Sequence, residues 1–322
     1  MQKKERQKLS KKHRFIWQSK TGTQKCVQTG RCFRQSSCIR QSRSAWIFFL
    51  LPSVAGVLIF VLLPFLDVIR RSFLTAVTEE WTGFHNYELI FANQAFRLAV
   101  RNTIRFTLVC LPLLIGIGLF VSVQLSRLKN VQFIKSCFLF PMAMPAATVV
   151  LIWKMIFSRQ GFLNGGLAGL GLLSEGAFPD YMGTRASFWV LVFSYIWKNL
   201  GYTIVLWLAG IFAVSEGLTE AARVDGATQR QCFWYVIFPN LRGTLYTITV
   251  LSFLNSFKVF REAYLVAGSY PHESMYLLQH LFNNWFVNLE LDKMAASAVC
   301  IGLVLFAVIL LLQKLWDSDE KG

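Results

Sequence analysis

Long apolar stretches alternate with shorter polar ones along the chain, and this alternation begins after residue 45. Apolar runs of about 18 or more residues predict helices that cross a membrane. The sequence predicts such runs at 46–66, 106–125, 137–157, 187–214, 244–267 and 297–315. We therefore expect an all-α membrane protein whose core is a six-helix transmembrane bundle.

The third predicted span contains two prolines, Pro141 and Pro145. Each proline removes a backbone N–H from the helical hydrogen-bond ladder, and its ring crowds the preceding turn. Two of them in one span predict a bend, which a membrane bundle tolerates. The bend can be a fixed kink or a moving part, and the sequence leaves both open.

The fourth and fifth predicted spans carry polar side chains where a membrane helix is usually apolar. A charged residue at the centre of such a helix costs about 2.5–3.5 kcal/mol on insertion scales, so it should face protein or water. Lys258 and Glu262 are four residues apart, which lets them pair on one helix face. Two interpretations of these polar residues remain open: a water-filled pathway through the bundle, and a structural ion pair near the outer interface. The candidate pathway residues are Lys198, Asn199, Asn255, Lys258, Arg261 and Glu262.

A polar segment, residues 215–240, separates the fourth predicted span from the fifth. Ser215 can cap a first short helix, and Gly226 can end it because glycine readily adopts a positive φ. Thr228, followed three residues later by Gln231, is a capping-box pattern for a second helix. The segment is therefore predicted to be a helix–turn–helix.

Small and aromatic residues give this loop the character of a docking element. Ala221 and Ala222 form a surface without bulk, so another protein can approach closely. Phe233 and Trp234 can anchor the second helix on the bundle, and Pro239 should end that helix. A long ordered polar loop between two membrane spans predicts a protein partner.

Charge is distributed unevenly. The net charge is +16, and residues 1–45 carry 13 Lys or Arg and one acid, Glu5. A nucleic-acid-binding arm is conceivable, but next to a membrane span such a tail is better explained as cytoplasmic, because positive charge marks the inner side. We therefore expect a cytoplasmic tail over 1–45, a membrane domain over 46–316 with loop 215–240 on the inner face, and a short cytoplasmic tail over 317–322.

The sequence contains no G-x-x-x-x-G-K-S/T pattern, so it has no recognisable means of binding ATP by itself. It also lacks paired acids, a metal-ligand cluster or a nucleophile constellation that would predict an enzyme. We expect no catalytic residue, metal site or cofactor site in this chain. A stand-alone secondary transporter or channel, with the polar loop as a mere linker, is the rival interpretation.

A spaced pattern runs through the polar loop: Glu-Ala-Ala, three residues, Gly, nine residues, an aliphatic residue, one residue, and an apolar–Pro pair. Its residues are Glu220, Ala221, Ala222, Gly226, Val236, Phe238 and Pro239, with Asp225 and Ala227 also matching. This pattern resembles the signature of permease subunits of binding-protein-dependent ABC importers. Trp197-Lys198-Asn199 and Phe257-Lys258-Val259-Phe260 are similar to the sugar-importing branch of that family.

The resemblance implies a set of partners and a mechanism. A second homologous permease chain would pair with this one in the bacterial cell membrane, and two ATPase subunits that hold ATP and Mg²⁺ would each receive one polar loop. An extracytoplasmic binding protein would deliver the solute, a sugar or oligosaccharide, with a non-sugar solute as the alternative. The residues implied in ATPase coupling are Glu220, Ala221, Ala222, Asp225, Gly226, Ala227 and Pro239.

Overall fold

The computed structural model describes residues 45–128, 131–173 and 178–319. The chain divides into two units, residues 1–56 and 57–322, and the buried clusters described below lie in the second. The predicted basic tail up to residue 44 and the last three residues of the predicted C-terminal tail lie outside the described residues. The described parts are helices joined by turns, with one isolated β-bridge between Leu74 and Trp81.

The helices account for most of the described chain. In chain order they are α1 Ala45–Val57, α2 Leu63–Arg71, α3 His85–Ala92, α4 Gln94–Leu125, α5 Val131–Ala143, α6 Ala146–Phe157, α7 Phe162–Gly169, α8 Ser187–Ala213, α9 Glu216–Val224, α10 Gln229–Gln231, α11 Phe238–Asn240, α12 Arg242–Ser256, α13 Phe260–Ala267, α14 Leu278–Val287 and α15 Leu291–Asp319. Wider π-helical turns occupy Leu58–Leu62 and Cys232–Ile237, and tighter 3₁₀ turns occupy Phe257–Val259 and Glu273–Met275.

Long apolar helices confirm the predicted all-α membrane architecture. The helices long and apolar enough to cross a membrane are Leu50–Arg71, Gln94–Leu125, Ser187–Ala213 and Leu291–Lys314. Val131–Ala143 and Ala146–Gly169 pass the same test as a pair bent by 93°. Length and composition therefore give four spans in the described part of the chain, or five if the bent pair is one span, rather than the six expected.

The bend predicted from the two prolines is present, and it lies at Pro145. This residue has φ −60° and ψ 144°, so α6 begins only after it, whereas Pro141 stays inside α5. A proline disfavours the helical conformation of the residue before it, so Met144 leaves the helix. The predicted single run 137–157 is consequently two helices, and the first begins earlier than expected.

The predicted fifth span, 244–267, is also interrupted. Helix α12 ends at Ser256, the 3₁₀ turn Phe257–Val259 follows, and α13 begins at Phe260. Helix α12 has 15 residues, a length of about 22 Å at 1.5 Å per residue, which is shorter than a bilayer core of about 30 Å. The interruption falls where the sequence becomes charged.

Helix α4 begins well before the predicted start at residue 106, because its polar first turns are stabilised by protein contacts. The side chain of Asn93 caps the helix by accepting the Phe96 N–H at 3.1 Å. The Asn102 amide donates to the carbonyl oxygens of Glu273 at 2.5 Å and Tyr276 at 3.0 Å. Apolar content alone could not reveal these turns, and α15 likewise extends beyond the predicted run 297–315.

Helices α4 and α8 pack together at the centre of the second unit. The Ser122 hydroxyl of α4 donates to the Ile204 carbonyl oxygen at 3.1 Å, and Trp207 Nε1 donates to the Ile115 carbonyl oxygen at 3.2 Å. Such side-chain bonds between helices are typical of membrane bundles. The buried cluster around this pair contains Phe106, Cys110, Leu114, Phe188, Leu191, Val192, Tyr195, Val259, Ala263, Met275 and Leu277.

Gly201 lets α8 approach α5 closely, and this contact predicts a sensitive position. A Cβ atom at Gly201 would overlap the carbonyl oxygen of Phe138 and lie 3.0 Å from the Cα atom of Leu139. Backbone atoms cannot move aside as a flexible side chain can, so we expect Gly201→Ala to destabilise the protein by about 1–3 kcal/mol. Thermal unfolding in detergent measures this effect. Gly116→Ala is the matched control, since a Cβ there meets no atom within 4 Å, and equal melting temperatures for both variants would contradict the prediction.

Candidate functional site

All six polar residues predicted for a pathway line one cavity of about 380 Å³. Helix α8 supplies two of them, and the interrupted stretch from α12 to α13 supplies the other four. The break therefore turns polar side chains of the fifth predicted span toward α8. The six are Lys198, Asn199, Asn255, Lys258, Arg261 and Glu262, and the remaining lining residues are Met142, Ser194, Tyr195, Phe257, Val259, Phe260 and Gln279.

The ion pair of this cavity differs from the predicted one. Glu262 accepts a hydrogen bond from Nζ of Lys198 on α8, so the predicted pairing of Glu262 with Lys258 is wrong. Lys258 lies in a 3₁₀ turn, which has three residues per turn, and residues four apart no longer share a face there. The four-residue spacing of Lys258 and Glu262 would place them on one face only if the helix were uninterrupted.

The Lys198–Glu262 pair is largely removed from solvent. The side chain of Glu262 is 7% exposed and that of Lys198 is 24% exposed. A buried pair gains less than its Coulomb attraction because both charges lose water, but one partner left alone is strongly destabilising. The pair therefore links α8 to α13, and its two charges neutralise each other. The cavity residues Lys258 and Arg261, by contrast, are exposed.

Uncharged groups complete the cavity wall. The Asn199 amide donates to the Tyr195 carbonyl oxygen at 2.8 Å, and the Tyr195 hydroxyl donates to the Ser252 carbonyl oxygen at 2.7 Å. These bonds fix one side of the cavity on α8. Asn255, on α12, adds a further amide to the lining.

Gln279 was missed by the sequence analysis because it lies on α14, outside every predicted span. Its neighbour His280 is fully buried, accepts the Leu277 N–H at Nδ1 over 3.2 Å, and packs its ring against Phe260. Burial lowers the pKa of His280 to about 4, so its imidazole is uncharged at neutral pH. The positive charge beside the cavity therefore comes from lysine and arginine, not from this histidine.

The loop 215–240 has the predicted helix–turn–helix form. Helix α9 ends at Val224, and Gly226 has φ +87°, which confirms the predicted role of glycine at this turn. The capping box is also confirmed, since Thr228 N–H donates to Oε1 of Gln231 at 2.8 Å and Gln231 N–H donates to Oγ1 of Thr228. Ser215 occupies the N-cap position of α9 without forming a side-chain capping bond, contrary to expectation.

The predicted coupling residues lie along an exposed surface of this loop. Glu220, Ala221, Asp225 and Gly226 are exposed, Ala222 and Ala227 are half-buried, and Pro239 is exposed in the last helical turn. Two large apolar side chains on α9 are exposed as well, Leu218 at 51% and Val224 at 87%. These two side chains add unburied apolar surface to the exposed face of the loop.

The predicted anchors of the loop are confirmed only in part, since Phe233 is half-buried but Trp234 is not. Cys232 is 3% exposed, Ile237 packs against the buried cluster of Trp207 and Leu241, and Trp234 is 57% exposed. Trp234 therefore does not anchor the second helix, because it lies on a different side of the wide turn from Cys232. The turn directs the small sulfhydryl inward and leaves the indole ring at the surface.

Comparisons with known proteins identify a family for most of this chain. Residues 114–321 match the family described as binding-protein-dependent transport system inner membrane component. The chain is 28% identical over 295 residues to the diacetylchitobiose uptake system permease protein NgcF of Streptomyces coelicolor, covering 84% of this chain and 83% of that protein. It is 26% identical over 270 residues to the multiple sugar-binding transport system permease protein MsmF of Streptococcus mutans, covering 82% and 90%.

A solved structure has the same fold. The crystal structure of a bacterial ABC transporter involved in the import of the acidic polysaccharide alginate contains a chain that superposes with a TM-score of 0.73 at 19% identity. The match covers 85% of this chain and 96% of that chain. Since the identity is low, this likeness concerns the fold.

Proposed function

Because the chain belongs to the family of binding-protein-dependent transport system inner membrane components, we propose that it forms half of the pathway of an ATP-driven importer for a sugar or oligosaccharide. The other half is a second homologous permease chain. An extracytoplasmic binding protein delivers the solute, and two ATPase subunits bind ATP and Mg²⁺. The curated relatives named above, which carry sugar-uptake names and align over most of their length, support the solute class.

The observation that carries this proposal is the exposed loop between α8 and α12. Its helix α9 presents Glu220 and Ala221 beside Leu218 and Val224, a surface that combines a carboxylate, small residues and unburied apolar groups. Burial of such side chains against a partner is favourable by about 25 cal/mol per Å² of apolar surface. This surface is the docking site for one ATPase subunit, and it transmits the closure of the ATPases to the bundle.

The cavity between α8 and the break after α12 is the solute pathway of this subunit. Its lining of charged, amide and aromatic side chains supports the assignment, because polar groups at such positions in a membrane protein mark solute paths. In this arrangement the chain crosses the membrane six times, with the bent α5–α6 pair as one span and the interrupted α12–α13 stretch as another. Both termini and loop 215–240 lie in the cytoplasm of a bacterial cell. The chain is a permease without catalysis of its own.

Reconstitution of the importer tests this function. The permease pair, the ATPase and the binding protein are placed in liposomes, and uptake of labelled oligosaccharides is followed with ATP supplied to the ATPase. We expect uptake to require hydrolysable ATP and the binding protein together. Uptake that persists without the ATPase and follows an ion gradient would support the rival secondary transporter and contradict the proposal.

A further inference from the structure

The cavity between α8 and the break after α12 contains more positive than negative charge. Glu262 is the acidic residue of its wall, and Lys198 already neutralises it. Lys258 and Arg261 also line the cavity and are exposed. Among the ion pairs found within residues 45–128, 131–173 and 178–319, none involves Lys258 or Arg261. In this described part of the chain, two cations without an acidic partner therefore face the space inside the cavity.

These two cations are close in sequence, one within the break in the helix and one just after it. Lys258 is in the 3₁₀ turn, and Arg261 follows three residues later in the first turn of α13. Like charges near each other repel, so an anion bound to both would lower that repulsion as well as form new bonds. The arginine fork can bind a carboxylate or phosphate through two parallel hydrogen bonds, and lysine adds a point charge.

The rest of the wall suits a sugar ring. Asn199, Asn255 and Gln279 offer amide donors and acceptors for hydroxyl groups, and Phe257 and Phe260 offer apolar ring surfaces. Burial lowers the pKa of His280, beside Gln279, to about 4, so this imidazole adds no positive charge at neutral pH. The cavity thus combines side chains that can contact a hydroxylated ring with two cationic side chains, Lys258 and Arg261.

From this combination we infer that the transported solute is an anionic saccharide, whose acidic group is held by Lys258 and Arg261 while its ring contacts the amide and aromatic wall. The inference rests on the proposed function, since it specifies the solute of that same pathway. The acidic group is a carboxylate, as in a uronic acid, or a phosphate ester. Both place delocalised negative charge on oxygen atoms that a guanidinium group can bind in the same way.

Matched pairs of labelled solutes test the inference in cells that express the complete importer. Trigalacturonate is compared with its neutral methyl ester, and sucrose phosphate is compared with sucrose. We expect uptake of at least one charged member to exceed that of its neutral counterpart by about tenfold, as the loss of one charged hydrogen-bonded contact predicts. The pair that responds distinguishes the carboxylate from the phosphate.

Variants then assign the preference to the cavity rather than to the binding protein. Arg261→Gln and Lys258→Gln should each reduce uptake of the charged solute by about tenfold, whereas Arg261→Lys should retain part of it. Arg185→Gln is the control, because it removes an exposed cation that does not line the cavity, and it should have no effect.

The outcomes separate this inference from the proposed function. Preferential uptake of neutral members would overturn the inference and leave ATP-driven sugar import intact. Equal loss of charged and neutral uptake in the glutamine variants would assign these cations a structural role and also overturn it. Failure to import any saccharide, with an active ATPase, would contradict the proposed function on which the inference rests.

Discussion

Gly226→Pro should abolish ATP-driven uptake while leaving the protein in the membrane. Gly226 has φ +87°, a value that proline cannot adopt because its ring holds φ near −65°. The substitution also removes the N–H that donates to the Arg223 carbonyl oxygen at 3.0 Å. The turn between α9 and α10 must therefore rearrange, which moves Glu220 and Ala222 away from their places on the docking surface.

The expected size of this effect follows from the backbone. Proline in an incompatible position costs about 3 kcal/mol. If that cost falls on ATPase binding, association weakens by about a hundredfold. Gly226→Ala should have an intermediate effect, because a left-handed conformation costs a residue with a Cβ atom about 1–2 kcal/mol. Co-purification of the ATPase and uptake into liposomes measure both consequences.

Gly243→Ala is the control for this experiment. Gly243 lies in the first turn of α12 and is exposed, and a Cβ atom added there would meet no atom within 4 Å. The variant should therefore retain both ATPase association and uptake. Normal transport by Gly226→Pro would show that loop 215–240 does not couple ATP hydrolysis to the bundle, and the docking role would have to be withdrawn.

Part of the structure of loop 215–240 could be predicted from the sequence, and part could not. Positive φ at Gly226 and the capping box at Thr228 could be predicted, because both depend on local backbone chemistry. The anchor could not, because the choice between Cys232 and Trp234 depends on the π-helical turn that rotates the second helix. In this loop, the local capping residues determine where the helices begin and end, and packing against the bundle determines which side of them is buried.

For the cavity, too, the sequence predicts which residues are polar but not how they pair. The polar side chains of the fourth and fifth predicted spans were recognisable because charge is costly in a membrane, and the structure brings all six to one cavity. The ion pair was predicted wrongly because the sequence does not show that the helix is interrupted at Phe257–Val259. The contribution of Gln279 depends on the tertiary position of α14, which no periodicity in its own segment indicates.

The start of α4 was predicted wrongly for a related reason. Apolar content marks the part of a helix that crosses the membrane, so α4 was expected to begin near Phe106. Its earlier turns carry Asn102, which is buried and bonded to the carbonyl oxygens of Glu273 and Tyr276. A helix that satisfies its polar groups against another segment of the same chain is not apparent from hydropathy, because Glu273 lies 171 residues away in sequence.

Lys198→Met should destabilise the protein by about 3–5 kcal/mol, because it leaves the carboxylate of Glu262 buried without its partner. Glu262→Gln should also destabilise, by less, since Lys198 is more exposed and can reach water. The double variant Lys198→Met with Glu262→Gln should recover much of the loss, because it removes both charges together. Denaturant unfolding of the four proteins in detergent gives the coupling free energy of the pair.

A second ion pair, half-buried but more exposed than the first, provides the matched control for that cycle. Nζ of Lys293 lies 3.1 Å from Oε1 of Glu290, and both side chains are more exposed than those of Lys198 and Glu262. Lys293→Met should therefore cost at most about 1 kcal/mol. If Lys198→Met cost no more than Lys293→Met, or if the two single effects simply added in the double variant, then the Lys198–Glu262 pair would not link α8 to α13. The break after α12 would then need another support, and both exposed cations of the cavity would lose the fixed frame on which their role depends.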